Sequence, residues 1–456
     1  MLRRDVVTPR PAWLATIPLF LGSVTCTLSN NIVNVPLHDV MRDLHVSLAR
    51  GALIAIAFSL TTAVTMPFAG WLADRIGRRR VYLWAVALVG VASVGASIAP
   101  NLDVLLVFRV LQAVTASCTL PAAMGILTSL YGIANRGRAL AVWAAANGFG
   151  QAVGPPVGGV IAGWLSWRWI FTTTITLSAV AWALSLRAIP RDSGVRAPVD
   201  WRGAALLTSG AGTLIAAASL VPQLGVGAPT VVGLAGTGVV LLAAFGRSIT
   251  RRAAPFVDPA LFSDPAFRRS AVTVFSQMFS LGVMTLAVPL FLTRTEKLST
   301  SAAGVIVFAL PAAMTAFAPL AGRASTDARI RHTLGAGVVV ILLGQLILAA
   351  ELAWWHSPGW ALTLGLVVAG AGTAFVQAPA ATGATQSSLG RAGAALGVFN
   401  LIRFTGLSLG AALVAVVLSG GDHYGVLFLV CSAVLATSLM TTFVRRATVT
   451  RAVVAQ

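Results

Sequence analysis

Apolar runs about as long as a bilayer is thick recur along nearly the whole chain, and they restrict the fold more than any other feature. A helix needs about 20 apolar residues to cross a membrane. Because unpaired backbone groups are costly in lipid, each run is predicted to form an α-helix, which makes the chain an all-α polytopic membrane protein. Fourteen spans are predicted, near residues 13–36, 51–73, 80–98, 103–129, 138–163, 168–186, 203–221, 230–246, 270–292, 302–322, 333–352, 359–381, 393–418 and 424–443.

The composition argues against a soluble protein and against a nucleic-acid partner. Of the 456 residues, 57% are hydrophobic and 10% are charged, whereas soluble domains carry about a quarter charged residues. The net charge of +19 is spread over short loops and forms no single basic face. Lys297, the only lysine, lies outside any Gly-Lys-Ser/Thr sequence, so the chain holds no ATP-binding P-loop. No metal and no cofactor are expected.

The positions of the arginines predict the orientation in the membrane. With the N-terminus in the cytoplasm, basic residues favour the cytoplasmic side by about five to one, in agreement with the positive-inside rule. An even number of spans returns the C-terminus to the same side. We therefore expect a multi-pass protein of the plasma (inner) membrane with both termini in the cytoplasm, surrounded by lipid and functional as a monomer.

A run of glycines and prolines lies inside the fifth predicted span, in the segment 150–159. Its prolines remove backbone donors, which predicts a kink. Its glycines let a neighbouring helix approach closely. Small residues also serve packing alone, so that interpretation stays open. The residues singled out are Gly150, Gly154, Pro155, Gly158 and Gly159.

A second run joins the second and third predicted spans, in the segment 70–80. Asp74 is expected to pair with an arginine or a helix N-terminus in one conformation and to release it in another. A solvated loop that only fixes the topology is the alternative. The predicted gating residues are Gly70, Asp74, Arg75, Gly77, Arg78 and Arg79.

Both runs resemble signatures of the major facilitator superfamily, and the run at 150–159 resembles that of its antiporter branch. Three further runs also resemble sequences of this superfamily: Leu105-x-x-x-Arg109-x-x-Gln112, the segment 167–171 and the segment 401–410. With fourteen spans, the chain looks like the fourteen-helix drug:proton antiporter family over residues 13–445. The resemblance implies two six-helix bundles, over 1–200 and 251–456 with a short cytoplasmic tail, and two inserted helices over 201–250.

The resemblance also implies export of small amphiphilic compounds (drugs, natural products or lipids) by alternating access, driven by protons. One position departs from the family. Where the first span of the family carries an aspartate, this chain has Ser29, which does not titrate near neutral pH. Among the other acids, only Glu351 approaches the membrane, as a proton carrier or as an interfacial carboxylate in water. Proton coupling must then use Glu351, Asp74 or water bound to Arg109, and otherwise the protein is a facilitator.

Two arginines lie within predicted spans. Placing a guanidinium at the centre of a membrane helix costs at least about 2.5 kcal/mol of insertion free energy. Arg109 is expected to face a water-filled cavity or a polar partner such as Gln112, and Arg403 to line the cavity or to serve packing. With these arginines and no carboxylate in the spans, the cavity favours a neutral or anionic substrate. The predicted proton-path or cavity residues are Arg109, Gln112, Ser29, Asn34, Glu351 and Arg403.

Other functions remain open beside proton-coupled export. The missing first-span aspartate also fits an uncoupled facilitator, an uptake carrier of the same fold, or a sensor that no longer transports. An enzyme is disfavoured because the five histidines are scattered singly and form no acid–base pair at one membrane face.

Overall fold

The computed structural model describes residues 12–132, 136–191, 200–225, 227–251, 259–324, 330–355, 359–386 and 392–443. Throughout these ranges the regular structure is helical. The α-helices are α1 (Ala12–Asn31), α2 (Leu37–Asp43), α3 (Leu48–Ile76), α4 (Arg78–Ser97), α5 (Leu102–Tyr131), α6 (Arg136–Trp164), α7 (Ile170–Ala188), α8 (Trp201–Leu224), α9 (Pro229–Arg251), α10 (Ala260–Ser263), α11 (Pro265–Leu290), α12 (Thr300–Val307), α13 (Ala309–Ala324), α14 (Ile330–Ala350), α15 (Trp360–Gln386), α16 (Ala392–Ser419) and α17 (Tyr424–Phe443).

Eleven helical segments of the described residues are long and apolar enough to cross a membrane. They contain α3, α4, α5, α7, α9, α11, α12 with α13, and α14 to α17, or the larger part of each. The prediction of an all-helical, multi-pass membrane protein is thereby confirmed. The three remaining predicted spans coincide with α1, α6 and α8.

The prediction that the first span is helical from 13 to 36 is wrong for its last five residues. Helix α1 ends at Asn31, turns follow over 32–36, and the short helix α2 then begins at Leu37. Asparagine has a low helix propensity, and Pro36 disfavours a helical conformation at the residue before it. The chain therefore leaves the helix while it is still apolar.

The predicted span 302–322 is also divided, because α12 and α13 meet at Phe308. Pro311 lacks the N–H that would bond to the carbonyl of Val307, and its ring clashes with that carbonyl. The spans predicted at 270–292 and 333–352 likewise end in single π-helical turns, Phe291–Thr295 and Glu351–Trp355. Such turns are rare and occur often at functional sites.

The long helices pack as two groups. Helices α1 and α3 to α7 contact one another and are called here the N-terminal group; α11 to α17 do the same and are called the C-terminal group. Helices α8 and α9 pack together, and α8 also contacts α3 and α16, one helix from each group.

The boundary between the two groups, called here the seam, is formed by two helix pairings. Helix α3 packs against α16, and α6 packs against α12 and α13. At the first pairing, Phe404 of α16 reaches an apolar cluster of the N-terminal group that contains Cys26 and Phe58.

Candidate functional site

One face of α6 packs directly on the backbone of α1. A Cβ atom placed on Gly150 would lie 2.8 Å from the main-chain oxygen of Val24, and one on Gly154 would lie 3.1 Å from the Cβ of Asn31. At Gly158 the added atom would overlap the main-chain oxygen of Ile32. These glycines follow each other at four-residue spacing, so they form one stripe on the helix. Only glycine fits this approach.

The same helix also meets the C-terminal group. A Cβ atom on Gly159 would lie 2.8 Å from the main-chain oxygen of Thr300, and one on Gly304 would lie 3.1 Å from the oxygen of Pro155. Ser301 donates a hydrogen bond to the main-chain oxygen of Gly159 over 3.3 Å. The run at 150–159 is thus packed on α1 of its own group and on α12 across the seam, and α6 continues through both prolines.

A polar contact joins the two groups beside this packing. Asp39 of α2 accepts a hydrogen bond from the hydroxyl of Thr300, with 2.6 Å between the oxygens. Thr300 is the first residue of α12, where a carboxylate also meets the positive end of the helix dipole. This hydrogen bond joins the two groups at the end of the seam that carries α2 and the start of α12, which is called here the Asp39 end.

Arg109 of α5 is completely buried and is surrounded by oxygen atoms. Its guanidinium donates to the main-chain oxygen of Ser29 over 2.7 Å, to that of Asn30 over 3.4 Å, and to that of Ile54 over 3.4 Å. It also donates to the side-chain oxygen of Gln112 over 3.0 Å. Because α1 ends at Asn31, the carbonyls of its last turn have no partner within the helix, and the guanidinium takes two of them.

The partners of Arg109 are themselves held in place. Gln112 donates to the hydroxyl of Ser93 over 2.7 Å, and Ser93 donates to the main-chain oxygen of Val89. The ring of Phe58 lies 4.5 Å from the guanidinium carbon, a distance suited to a cation–π interaction. Arg109 thereby links α5 to α1 and α3, and Gln112 links α5 to α4.

Ser29 and Asn34 are buried beside this cluster. The hydroxyl oxygen of Ser29 and the side-chain oxygen Oδ1 of Asn34 have no hydrogen-bond partner among the described residues. Asn34 lines a narrow cleft at the seam. The residues that line the cleft come from both groups and are Asn30, Asn31, Asn34, Ala55, Ser59, Gly282, Thr285, Leu286, Leu407 and Ala411.

Arg403 of α16 is buried on the other side of the seam. It donates to the side-chain oxygen of Asn400 over 3.1 Å. Its guanidinium carbon lies 5.7 Å from the ring centre of Trp143, which belongs to α6 of the N-terminal group. Arg403 therefore contacts a residue across the seam, whereas Arg109 is enclosed within its own group.

A scan against protein-family models matches residues 19–411 to the Major Facilitator Superfamily. The chain belongs to the Major Facilitator Superfamily. Multidrug resistance protein Stp of Mycobacterium tuberculosis is 28% identical over 413 residues, which cover 90% of this chain and 76% of that protein. Fatty acid resistance protein FarB of Neisseria gonorrhoeae is 31% identical over 316 residues, which cover 68% of this chain and 62% of that protein.

A solved structure shows the same fold. The human organic anion transporter MFSD10 (TETRAN) superposes with a TM-score of 0.63 over 95% of this chain and 100% of its own, at 17% sequence identity. The superfamily and the similar transporters identify the chain as a membrane transporter and not an enzyme.

The predicted gating loop of this transporter joins α3 to α4. Gly77 connects the two helices at φ 107°, a conformation that side-chain-bearing residues rarely adopt. Arg78 donates to the main-chain oxygen of Gly125 over 3.0 Å, and Arg79 donates to that of Leu186 over 2.9 Å. A Cβ atom on Gly70 would meet no neighbour within 4 Å.

Arg75 and Asp74 also belong to the predicted loop. Arg75 is exposed. Asp74 lies in the last turn of α3, but its side chain lies outside the described part of the structure, so its predicted partner stays a prediction. Among the described contacts, it is Arg78 and Arg79 that fasten the loop to α5 and α7.

Glu351 is distant from these residues in the chain and begins the π-helical turn at the end of α14. It is 2% exposed. Burial disfavours an interfacial carboxylate in water, and the role of proton carrier stays a prediction. The turn packs against α17.

Sequence reasoning missed a cluster that ties together the loops on the side of the Asp39 end. Arg168 pairs with Asp43, and the ring nitrogen of Trp167 donates to the same carboxylate over 3.0 Å. These two hydrogen bonds lower the pKa of Asp43. Trp167 is 4% exposed. Partners so distant in sequence leave no signal in a single chain.

Proposed function

We propose that this transporter exports small amphiphilic compounds, neutral or anionic, by alternating access coupled to the inward movement of protons. All fourteen predicted spans cross the plasma membrane in this proposal, with both termini in the cytoplasm. Residues 1–200 and 251–456 form the two moving bundles, and the helices over 201–250 lie beside the seam.

The packing of α6 carries the proposal. Two bundles that rock against each other need a seam that closes tightly and separates again. Where glycines bring backbones together, as Gly159 and Gly304 do, no large side chains interdigitate and the surfaces part without repacking. The hydrogen bonds from Ser301 and to Asp39 add polar contacts that water replaces when the seam opens.

The direction and the substrate class rest on the relatives and on charge. The names of the relatives describe resistance to drugs and to fatty acids, which supports export of amphiphilic compounds. None of the residues that line the cleft is acidic, while the buried Arg109 lies directly behind Asn30. A cationic compound would find no counter-charge there.

Proton coupling is proposed to use Glu351, since Ser29 occupies the position of the family aspartate and cannot titrate. A buried carboxylate within a transporter is a proton-relay candidate. The presence of serine at position 29, where the family has an aspartate, equally supports an uncoupled facilitator with the same seam and substrates. The proton-coupled exporter and the uncoupled facilitator differ in whether substrate flux moves protons.

A cross-link across the seam tests the proposal. The residues Gly163 of α6 and Ser301 of α12 are in contact. In a background without Cys26, Cys118 and Cys431, the pair Gly163→Cys with Ser301→Cys should form a disulfide that lowers export into proteoliposomes at least tenfold. A reducing agent should restore the rate.

A matched pair away from the seam provides the control. Gly210 of α8 contacts Leu242 of α9. A disulfide between Gly210→Cys and Leu242→Cys joins two helices that move together in this proposal, so export should continue. Full export with the seam pair oxidised would mean that the seam does not open during transport.

A further inference from the structure

Helix α12 follows α11 in the chain, yet it packs mainly on α6 of the opposite group. A Cβ atom on Gly304 would lie 3.1 Å from the main-chain oxygen of Pro155 and 3.4 Å from the Cα of Gly159. The contacts of α12 with α11 and α15 of its own group are less extensive. The N-terminal group therefore holds α12 more firmly than the C-terminal group does.

The connection between α11 and α12 is irregular. Helix α11 passes into the π-helical turn Phe291–Thr295, and residues 296–299 are not helical. Within that stretch Lys297 has φ 54°, a backbone conformation uncommon for a residue with a side chain. Helix α12 then begins anew at Thr300 with Ser299 as its cap. No continuous helix transmits a movement of α11 to α12.

The junction of α12 with α13 has the chemistry of a hinge. The N–H of Phe308 donates to the oxygen of Gly304 over 3.1 Å, and that of Ala312 donates to the oxygen of Phe308 over 3.0 Å. Between these bonds Pro311 has no N–H to give to the carbonyl of Val307. Because that bond is missing in any case, a bend at Phe308 costs less than a bend elsewhere in the helix.

Asp39 of α2 holds the free end of α12. Its Oδ2 accepts the hydrogen bond from Thr300, and its Oδ1 lies 3.4 Å from the guanidinium of Arg42 on the same helix. The side chain of Asp39 is 22% exposed. A hydrogen bond to an ionised carboxylate is about twice as strong as one between neutral groups. The bond thus fastens the end of α12 that lies furthest from Phe308.

Helix α2 is itself fixed to the N-terminal group. Leu37, Val40 and Met41 form its buried face. Asp43 follows Asp39 by one helical turn and pairs with Arg168 of the same group. The carboxylate of Asp39 therefore stays with the N-terminal group when the seam opens.

We propose that α12 is a lid that swings about Phe308 separately from the rest of the C-terminal group, and that Asp39 is the latch of this lid. In the proposed orientation the lid lies on the outer side, where the exported compound leaves. The inference rests on the proposed function, because it states which part of the seam opens for release.

Distances between spin labels test the lid in the full-length chain in lipid nanodiscs, in the background without native cysteines. Val305 of α12, Trp360 of α15, Val426 of α17 and Ile98 at the end of α4 are exposed and accept labels. Double electron–electron resonance on Val305→Cys with Trp360→Cys should give two distances, since the lid moves within its own group. Trp360→Cys with Val426→Cys lies outside the lid and should give one.

The variant Asp39→Ala removes the latch. One hydrogen bond corresponds to about a threefold to tenfold change in an equilibrium, so the less populated Val305–Trp360 distance should gain that factor. Asp39→Asn keeps an oxygen acceptor without the charge and should have a smaller effect. Asp103→Ala is the control, because Asp103 pairs with Arg50 of its own group and does not cross the seam.

The variant Pro311→Ala tests the hinge. It restores the donor to the carbonyl of Val307 and stiffens the junction, so the second Val305–Trp360 distance should become rarer, even together with Asp39→Ala. Pro319→Ala, at another proline inside α13, is the matched control and should leave both distances as they are.

Two outcomes would overturn the lid or its latch. A single Val305–Trp360 distance, the same in the parent chain and in Asp39→Ala, would exclude the lid even if Pro311→Ala does not fold. Equal effects of Asp39→Ala and Asp103→Ala would exclude Asp39 as the latch.

The lid and the proposed function fail separately. If the distance from Val305 to Ile98 changes while that from Val305 to Trp360 stays single, and amphiphiles are exported, the groups move as rigid bodies; the lid is wrong and the function stands. If Asp39→Ala opens the lid but the wild-type chain exports no neutral or anionic amphiphile, the lid stands and the proposed function is wrong.

Discussion

Arg109 donates a hydrogen bond from its Nη1 to the main-chain oxygen of Ser29, over 2.7 Å. The bond joins the first third of α5 to the last turn of α1. It also explains how a fully buried guanidinium is tolerated: end-of-helix carbonyls, which carry the negative end of the helix dipole, take the place of a carboxylate. The position where the family has an acidic side chain thus still supplies an acceptor, from the backbone.

The substitution Arg109→Lys should lower the transport rate at least tenfold and the unfolding midpoint by several degrees. A lysine ammonium is a single point and does not reach acceptors on α1, α3 and Gln112 together. Each buried carbonyl left without a donor costs about 1–3 kcal/mol. Transport assays and thermal unfolding would measure both effects.

The control for that substitution is Arg251→Lys at the exposed end of α9. This substitution should change neither the transport rate nor the unfolding midpoint. A fully active Arg109→Lys protein would show that the positive charge alone is enough for transport, and that the several hydrogen bonds of the guanidinium are not needed.

The surroundings of Arg109 were predicted only in part. Spacing three residues apart on a helix indicated Gln112, and that hydrogen bond is present. The carbonyls of Ser29 and Asn30 were not foreseen, because they become available only where α1 ends. Because the apolar pattern continues to residue 36, the sequence does not indicate that α1 ends at Asn31.

The substitution Ser29→Asp should introduce saturable transport of an organic cation such as tetraphenylphosphonium. The new carboxylate would offset the charge of Arg109, which otherwise repels a cation. Ser29→Asn, which adds bulk but no charge, is the matched control. Equal cation transport by the wild-type protein and Ser29→Asp would contradict the charge argument.

Gly158→Ala should reduce the yield of folded protein and lower the unfolding midpoint. The added methyl group overlaps the main-chain oxygen of Ile32, and forcing such contacts costs about 1–3 kcal/mol. Gly236→Ala in α9 has open space at the same atom and should be neutral or slightly stabilising. Equal stability of the two variants would mean that α1 and α6 are not in close contact.

The ion pair of Asp43 predicts a small acid sensitivity. Since Arg168 and Trp167 lower the pKa of Asp43 below its ordinary 3.8, the pair stabilises the fold above that pH, and the contribution is lost as pH falls through the lowered pKa. Half-exposed pairs contribute about 0–1 kcal/mol. Asp43→Asn should therefore be slightly less stable at pH 7 and lose less stability on acidification below pH 4.

Thermal unfolding of both proteins between pH 7 and pH 3 would measure this difference. Parallel curves would show that the pair does not contribute. Asp103→Asn, at a more exposed ion pair with Arg50, gives the control for loss of one surface carboxylate.

The fold was more predictable than the site. Long apolar runs located the helices, because the membrane sets their length and composition. The break at Phe308 follows from Pro311 and was readable in principle, whereas the burial of Glu351 and Trp167 depends on helices distant in sequence. The glycine run of α6 indicated close packing, but its two partners, α1 and α12, emerge only from the assembled seam.

Proton movement during substrate export tests the central claim most directly. Proteoliposomes with an imposed pH gradient would receive a neutral or anionic amphiphile that does not itself carry protons across the bilayer, while the internal pH is recorded for the wild-type protein, for Glu351→Gln and for protein-free liposomes. The account predicts that substrate collapses the gradient with the wild-type protein and that Glu351→Gln abolishes this coupling. Saturable substrate flux with no change in internal pH would contradict proton-coupled export and leave a facilitator.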